Sequence, residues 1–131
     1  MKQAIPYLMF SGDCREALNF YKDCLGGEIK SIQTIGDSHL GQHAQPEHQG
    51  RIFDSEFVAE NIRFKASDDM PGYEVSKGSN FAIFVQFSDQ SEQKSAFEKL
   101  AEGGEIQFPL ENNFGMLVDK YRVQWMLAGN N

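Results

Sequence analysis

Two short stretches carry the residues best suited to chemistry. In RIFDSEF, residues 51–57, Asp54 and Glu56 are two apart. On a strand, residues two apart share a face, with Cα atoms about 7 Å from each other. Two carboxylates so placed suit a shared cation or an acid/base pair. In NIRFKA, residues 61–66, Arg63 and Lys65 alternate in the same way. They suit a carboxylate or phosphate, unless they pair with Asp54 and Glu56 and only hold the sheet together. His39, His43 and His48 lie within GDSHLGQHAQPEHQG (36–50), near Glu47. That stretch is rich in Gly, Gln and Ser, so it reads as a long solvated loop without a rigid frame for a metal. No Ser-His-Asp arrangement, phosphate loop or CxxC pair is present, and no catalytic residue is assigned.

Elements must position these side chains, and the chain spells them twice. FYKDCLGGEI at 20–29 returns as FEKLAEGGEI at 97–106. Asp13 and Glu16 form a capping box for a first helix whose apolar stripe is Cys14, Ala17, Leu18, Tyr21 and Leu25. Asp89 and Glu92 form the same box for a second helix, with Ala96, Phe97, Leu100 and Ala101 as its apolar face. Gly26-Gly27 and Gly103-Gly104 end the two helices and turn the chain into strands. Strands are expected at 4–10, 28–35, 51–59 and 61–67, then at 80–87, 105–109, 114–119 and 122–127. Each half therefore reads β-α-β-β-β, and the repetition points to duplication. The fold class is α+β, with one domain over 1–131: module one about 1–67, a linker about 68–79, and module two about 80–131.

Alternation along the strands divides each sheet into a helix side and an open side. Phe53, Phe57, Ile62, Phe64 and Ala66 fall on the helix side of module one. Ile83, Val85, Phe87, Val123, Trp125 and Leu127 do so in module two. The open sides then carry Asp54, Glu56, Arg63 and Lys65, and Phe84, Gln86, Gln124 and Met126. Such a mixture would orient a small polar ligand over an apolar floor.

Composition narrows the partners. The net charge is −7, from 12 basic and 19 acidic residues, which disfavours nucleic acid and anionic membranes. No apolar run is long enough to span a bilayer. The N-terminus lacks a signal-peptide pattern, leaving the cytoplasm as the default. Cys14 and Cys24 sit ten apart on one helix, about 15 Å, too far for a disulfide.

The stretches PYLMFSGDCREALNFYKDCLGGEI, ASDDMPG (66–72), FEKLAEGGEIQFPL (97–110) and FGMLVDKYRVQWML (114–127) resemble the PhnB-like branch of the vicinal oxygen chelate superfamily (glyoxalase, bleomycin-resistance and extradiol dioxygenase proteins). The branch often carries the name 3-demethylubiquinone 3-methyltransferase. No Gly-rich β-α turn followed by an acidic residue on a next strand supports that activity here. The resemblance implies half-barrel sheets with a cleft between the modules, and a homodimer. It also implies a divalent metal held by His and Glu at positions falling near Pro6, Lys65, Ala82 and Met126. Those neighbourhoods offer no His, Asp, Glu or Cys. The expectation is a protein that binds a small polar or anionic molecule without the usual metal or another cofactor. An anionic group would rest on Lys65 and Arg63. The alternative is a metal-dependent lyase, isomerase or dioxygenase using Asp54, Glu56 or a histidine. A plainer alternative is a dimeric scaffold with no ligand.

Overall fold

A computed structural model describes residues 2–69 and 75–129. The chain divides into two compact units, one of residues 1–22 and 26–75 and the other of residues 23–25 and 76 onward, each with one four-stranded sheet. Residues 70–74 of the expected linker lie outside the described residues.

The first unit runs β1 (Tyr7–Phe10), α1 (Cys14–Leu25), β2 (Glu28–Thr34), β3 (Ile52–Ala59) and β4 (Ile62–Asp68). Its sheet order is β1-β4-β3-β2, with β1 parallel to β4 and the other pairs antiparallel. Leu8 and Phe10, Phe57 and Ala59, and Phe64 and Ala66 point to the helix side and are buried. Tyr21 of α1 meets Phe64 edge-on at 5.8 Å between ring centres, and Phe57 stacks on Phe64 at 4.9 Å. Phe53 departs from the expected pattern. It is only half-buried, because the β2–β3 register slips there, pairing Gln33 with Asp54 and Thr34 with Ile52, so that Ile52 is buried instead and the Phe53 ring lies edge-on against His39, 5.5 Å away.

The second unit runs β5 (Ile83–Phe87), α2 (Gln90–Ala101), β6 (Glu105–Glu111), β7 (Phe114–Val118) and β8 (Gln124–Gly129). Its order, β5-β8-β7-β6, reproduces that of the first. Val85, Phe87, Phe97, Leu100, Leu117, Trp125 and Leu127 form its core. Asp119 is fully buried among them. It accepts hydrogen bonds from the Tyr121 and Val123 amides and from the Trp125 indole, at 2.8, 3.1 and 2.8 Å.

The glycine pairs explain the repeated motif. Gly26 and Gly103 both have φ of 75°, a left-handed conformation that favours glycine. Gly27, itself at φ 85°, and Gly104 also do something else. A Cβ on either would collide with a strand carbonyl, that of Val58 in the first unit and Val118 in the second. One glycine turns the chain and the next lets it cross the sheet in contact.

The helices themselves are one residue out of step with the sequence echo. Burial at Ala17, Tyr21 and Cys24 matches that at Gln93, Phe97 and Leu100, an offset of 76, whereas Gly27 to Gly104 is 77. The extra residue is Glu102, which caps the second helix ahead of its glycine. Phe20 and Phe97, aligned by the echo, are therefore not structural equivalents.

Capping also differs between the units. Asp89 accepts from the Ser91 amide at 3.3 Å, a local cap of the expected kind. The Asp13 side chain makes no cap hydrogen bond. Its role is taken by Asp68 at the end of β4, which accepts from the Cys14 amide at 2.9 Å and from the Ile52 amide at 2.9 Å. The carboxylate that anchors this helix lies 54 residues away, so local spacing could not reveal it.

Candidate functional site

On the open face of the first sheet, strand register brings the expected charges together. Lys65 on β4 stands between Tyr7 on β1 and Glu56 on β3. Its ammonium donates to Asp54 Oδ2 at 2.9 Å, and the Tyr7 hydroxyl donates to Asp54 Oδ1 at 2.9 Å. The same ammonium lies 5.9 Å from the centre of the Tyr7 ring. Arg63 pairs through Nε with Glu56. The Lys65 and Asp54 side chains are each about one-third exposed, at 34% and 37%.

Asp54, Lys65 and Tyr7 respond to one another. Burial pushes the Asp54 carboxyl up, but the hydrogen bonds from Lys65 and Tyr7 prevail and hold it below the ordinary carboxylate value. The hydrogen bond to Asp54 raises Lys65 against a smaller opposing effect of burial. Tyr7 is raised, first by burial and then by the Asp54 charge it touches. Two cations thus answer two carboxylates, and the set is neutral. Tyr7 is the member that strand alternation did not single out. Its place beside Lys65 follows only from the parallel pairing of β1 with β4, which no local pattern announces.

The second sheet presents the same row in different chemistry. Register aligns Tyr7, Lys65, Glu56 and Ser31 across β1-β4-β3-β2, and Phe84, Met126, Met116 and Phe108 across β5-β8-β7-β6. Tyr7 to Phe84 and Ser31 to Phe108 keep the 77-residue offset of the Gly-Gly turns. Phe84 is 57% exposed and Phe108 59%, so the row is an open apolar stripe. Met126 is half-buried within it and Gln86 lies exposed beside it. Gln124 is buried instead. Its amide donates to the Phe81 carbonyl at 2.6 Å and its oxygen accepts from Gln107 at 3.4 Å, so it ties the entry of β5 to β8.

The histidine loop is better framed than its composition suggests. Short 3-10 turns at Gly41–His43 and Pro46–His48 are tied together by Gln49, whose amide donates to the Gly41 and Ala44 carbonyls at 2.9 and 3.0 Å. Even so, no group of three or more His, Cys, Asp or Glu among the described residues is arranged to hold a metal ion. The positions that the resemblance assigns to ligands fare no better. The Lys65 amide donates to the Pro6 carbonyl at 2.9 Å, so these two do lie side by side. Their side chains, and those of Ala82 and Met126, include no metal donor of the His or Glu kind. The nearest carboxylates, Asp54 and Glu56, already hold Lys65 and Arg63. Among the described residues, those at these positions do not fit a divalent metal.

The family model described as 3-demethylubiquinone-9 3-methyltransferase matches residues 2–128. Protein PA1353 from Pseudomonas aeruginosa is 31% identical, with a TM-score of 0.87 over 99% of this chain and 98% of its own. The PhnB protein from Bacillus cereus is 26% identical, with a TM-score of 0.80 over 98% of this chain and 100% of its own. The fosfomycin resistance protein FosX from Listeria monocytogenes, complexed with Mn(II) and sulfate, has a TM-score of 0.66 over 100% of this chain and 94% of its own. At 11% identity that likeness shows the fold alone. The methyltransferase description is the name of the family model and establishes no activity. The paired β-α-β-β-β units, the repeated Gly-Gly turns and these matches lead to one statement: this chain belongs to the PhnB-like branch of the vicinal oxygen chelate superfamily.

Proposed function

We propose that this protein binds a small polar molecule on the open face of its first sheet, without a divalent metal at the superfamily's usual position. The observation that carries this reading is the Tyr7–Asp54–Lys65 hydrogen-bonded set beside the Glu56–Arg63 pair. It offers fixed donors and acceptors on a partly exposed surface, the kind of convergent polar group that orients a small ligand. Because each cation already faces a carboxylate, an anionic ligand must compete with Asp54 and Glu56. A neutral or zwitterionic molecule fits the balanced charges better than the anion that Lys65 and Arg63 alone would invite. Of the residues named from the sequence on the second sheet, considered by itself, Phe84 and Met126 suit an apolar group and Gln86 a polar one, whereas Gln124 serves that sheet's own packing.

Native mass spectrometry of protein purified from cells, followed by extraction, tests this reading. The expected result is a stoichiometric small polar molecule whose readdition shifts the amide resonances of residues 54, 56 and 65. Stoichiometric Zn, Ni, Mn or Fe retained through dialysis with chelator would overturn it. We further propose a cytoplasmic homodimer. Both cysteines are free, as a reducing compartment requires. The edge strands β2 and β6 expose Ile32, Ile106 and Phe108, apolar surface that a second copy would cover. Light scattering giving the 14.8 kDa monomer mass at micromolar concentration would count against the dimer.

A further inference from the structure

We propose that the histidine loop is a specificity element of the first sheet, and that His39 and Phe53 seat a planar ring of the small polar molecule bound beside Asp54. The loop fills a connection that the second unit closes with two residues. There Glu111 pairs with Phe114 across Asn112-Asn113, both left-handed at φ 52° and 64°. In the first unit residues 35–51 make the same connection, and the offset between equivalent residues falls from 77 at Ser31 and Phe108 to 60 at Glu56 and Met116. One sheet closes without such a segment, so the strand order does not demand it in the other. The segment is nevertheless held. The Ile35 amide donates to the Arg51 carbonyl at 2.8 Å, the Gly36 amide to the Gln49 carbonyl at 2.9 Å, and the Arg51 guanidinium to Asp69 at 2.7 Å. His39 takes no part in these bonds and stays exposed. Two contacts put its neighbourhood on the open side of the sheet. Gln33 pairs with Asp54 and shares its face, and its amide donates to the Asp37 carbonyl at 3.5 Å. The register slip that follows leaves Phe53 as an extra residue beside Asp54, and a bulge of that kind re-aims a side chain. The Phe53 ring there meets the His39 ring at an interplanar angle of 87°. An exposed imidazole set upright against a half-buried ring makes a corner of two aromatic faces, one residue from the Asp54 carboxylate. A planar ring fills such a corner by stacking on one face and meeting the other edge-on.

The seat rests on the small-molecule reading above, and the two fail in different ways. The probes are benzamide and acetamide, which carry the same neutral polar group with and without a ring. Each is titrated into the full chain as wild type, His39→Ala and Phe53→Leu, and binding is read from amide resonances. Benzamide should bind wild type at least about fivefold more tightly than acetamide, the scale of one aromatic contact, with shifts centred on residues 39, 53 and 54. His39→Ala, at an exposed position, should bring the two probes within about twofold of each other, and Phe53→Leu should do the same. Equal affinities in wild type, or a preference that survives both substitutions, overturn the seat, while acetamide shifts at residues 54, 56 and 65 keep the wider reading. Benzamide shifts confined to residues 84, 108 and 126 also overturn it, since the ring then belongs to the second sheet. Failure of the wider reading shows instead as no molecule retained from cells and no shift from either amide on the first sheet, and it takes the seat with it.

Discussion

Replacing Lys65 by Met removes one charge and keeps a stem of similar length, so its effect isolates the ammonium. In the native protein that ammonium meets Asp54 at 2.9 Å, with both side chains about one-third exposed. Water screens such a pair, and ion pairs of this exposure contribute about 0.2–1 kcal/mol. For a chain of this length that corresponds to a fall in melting temperature of no more than about 5 °C. The pH dependence is the sharper part. Asp54 is lowered from 3.8, so its contribution is present above that value and is lost as pH falls through its folded value. Lys65 is raised from 10.5, so its contribution is present below that value and is lost as pH rises through its folded value. The stability gap between wild type and Lys65→Met should therefore be full between pH 3.8 and 10.5 and close on both sides. Urea unfolding of both proteins at pH 3, 7 and 11 measures it. A gap above about 2 kcal/mol at pH 7, beyond what a pair one-third exposed supplies, would refute the reasoning. So would a gap that stays constant with pH. A small gap also means that variants on this face fold well enough to be titrated with ligand or metal.

Two further outcomes follow from the buried groups. Asp68→Ala leaves the Cys14 and Ile52 amides without their shared acceptor and should cost about 2–4 kcal/mol in urea unfolding, against about 1 for the local cap in Asp89→Ala; equal losses would mean that Asp68 is not the cap. The Cys14 and Cys24 thiols are both pushed up to about 12, first by burial, so a disulfide reagent at pH 8 should label neither in the native protein and both in urea, and rapid native labelling of either would contradict its placement.

Much of the fold was legible because it follows local rules. The alternation of RIFDSEF and NIRFKA placed Asp54, Glu56, Arg63 and Lys65 on one face, where they are found. The Gly-Gly turns marked both helix ends. What sequence could not supply depends on pairing between distant segments. Asp68 reaches α1 only after β4 is laid beside β1, and Tyr7 meets Asp54 only through that parallel register. The four charges were open to two interpretations, a seat for an anion or a set of internal pairs. Distances favour the pairs, and no spacing rule encodes them. The Phe20–Phe97 alignment misled because a single inserted residue, Glu102, shifts the helices against the turns that follow them.

The two equivalent rows have a consequence for engineering. Tyr7, Lys65, Glu56 and Ser31 occupy in one sheet the places that Phe84, Met126, Met116 and Phe108 occupy in the other, while the strand order beneath them is identical. One half of the molecule is thus a worked example of what the other half tolerates. A polar row and an apolar row are both compatible with the same backbone, because the helix-facing side chains and the glycine turns secure the fold. Combinatorial libraries confined to these eight positions should return a high fraction of folded proteins. Libraries of equal size on the helix-facing side should return few.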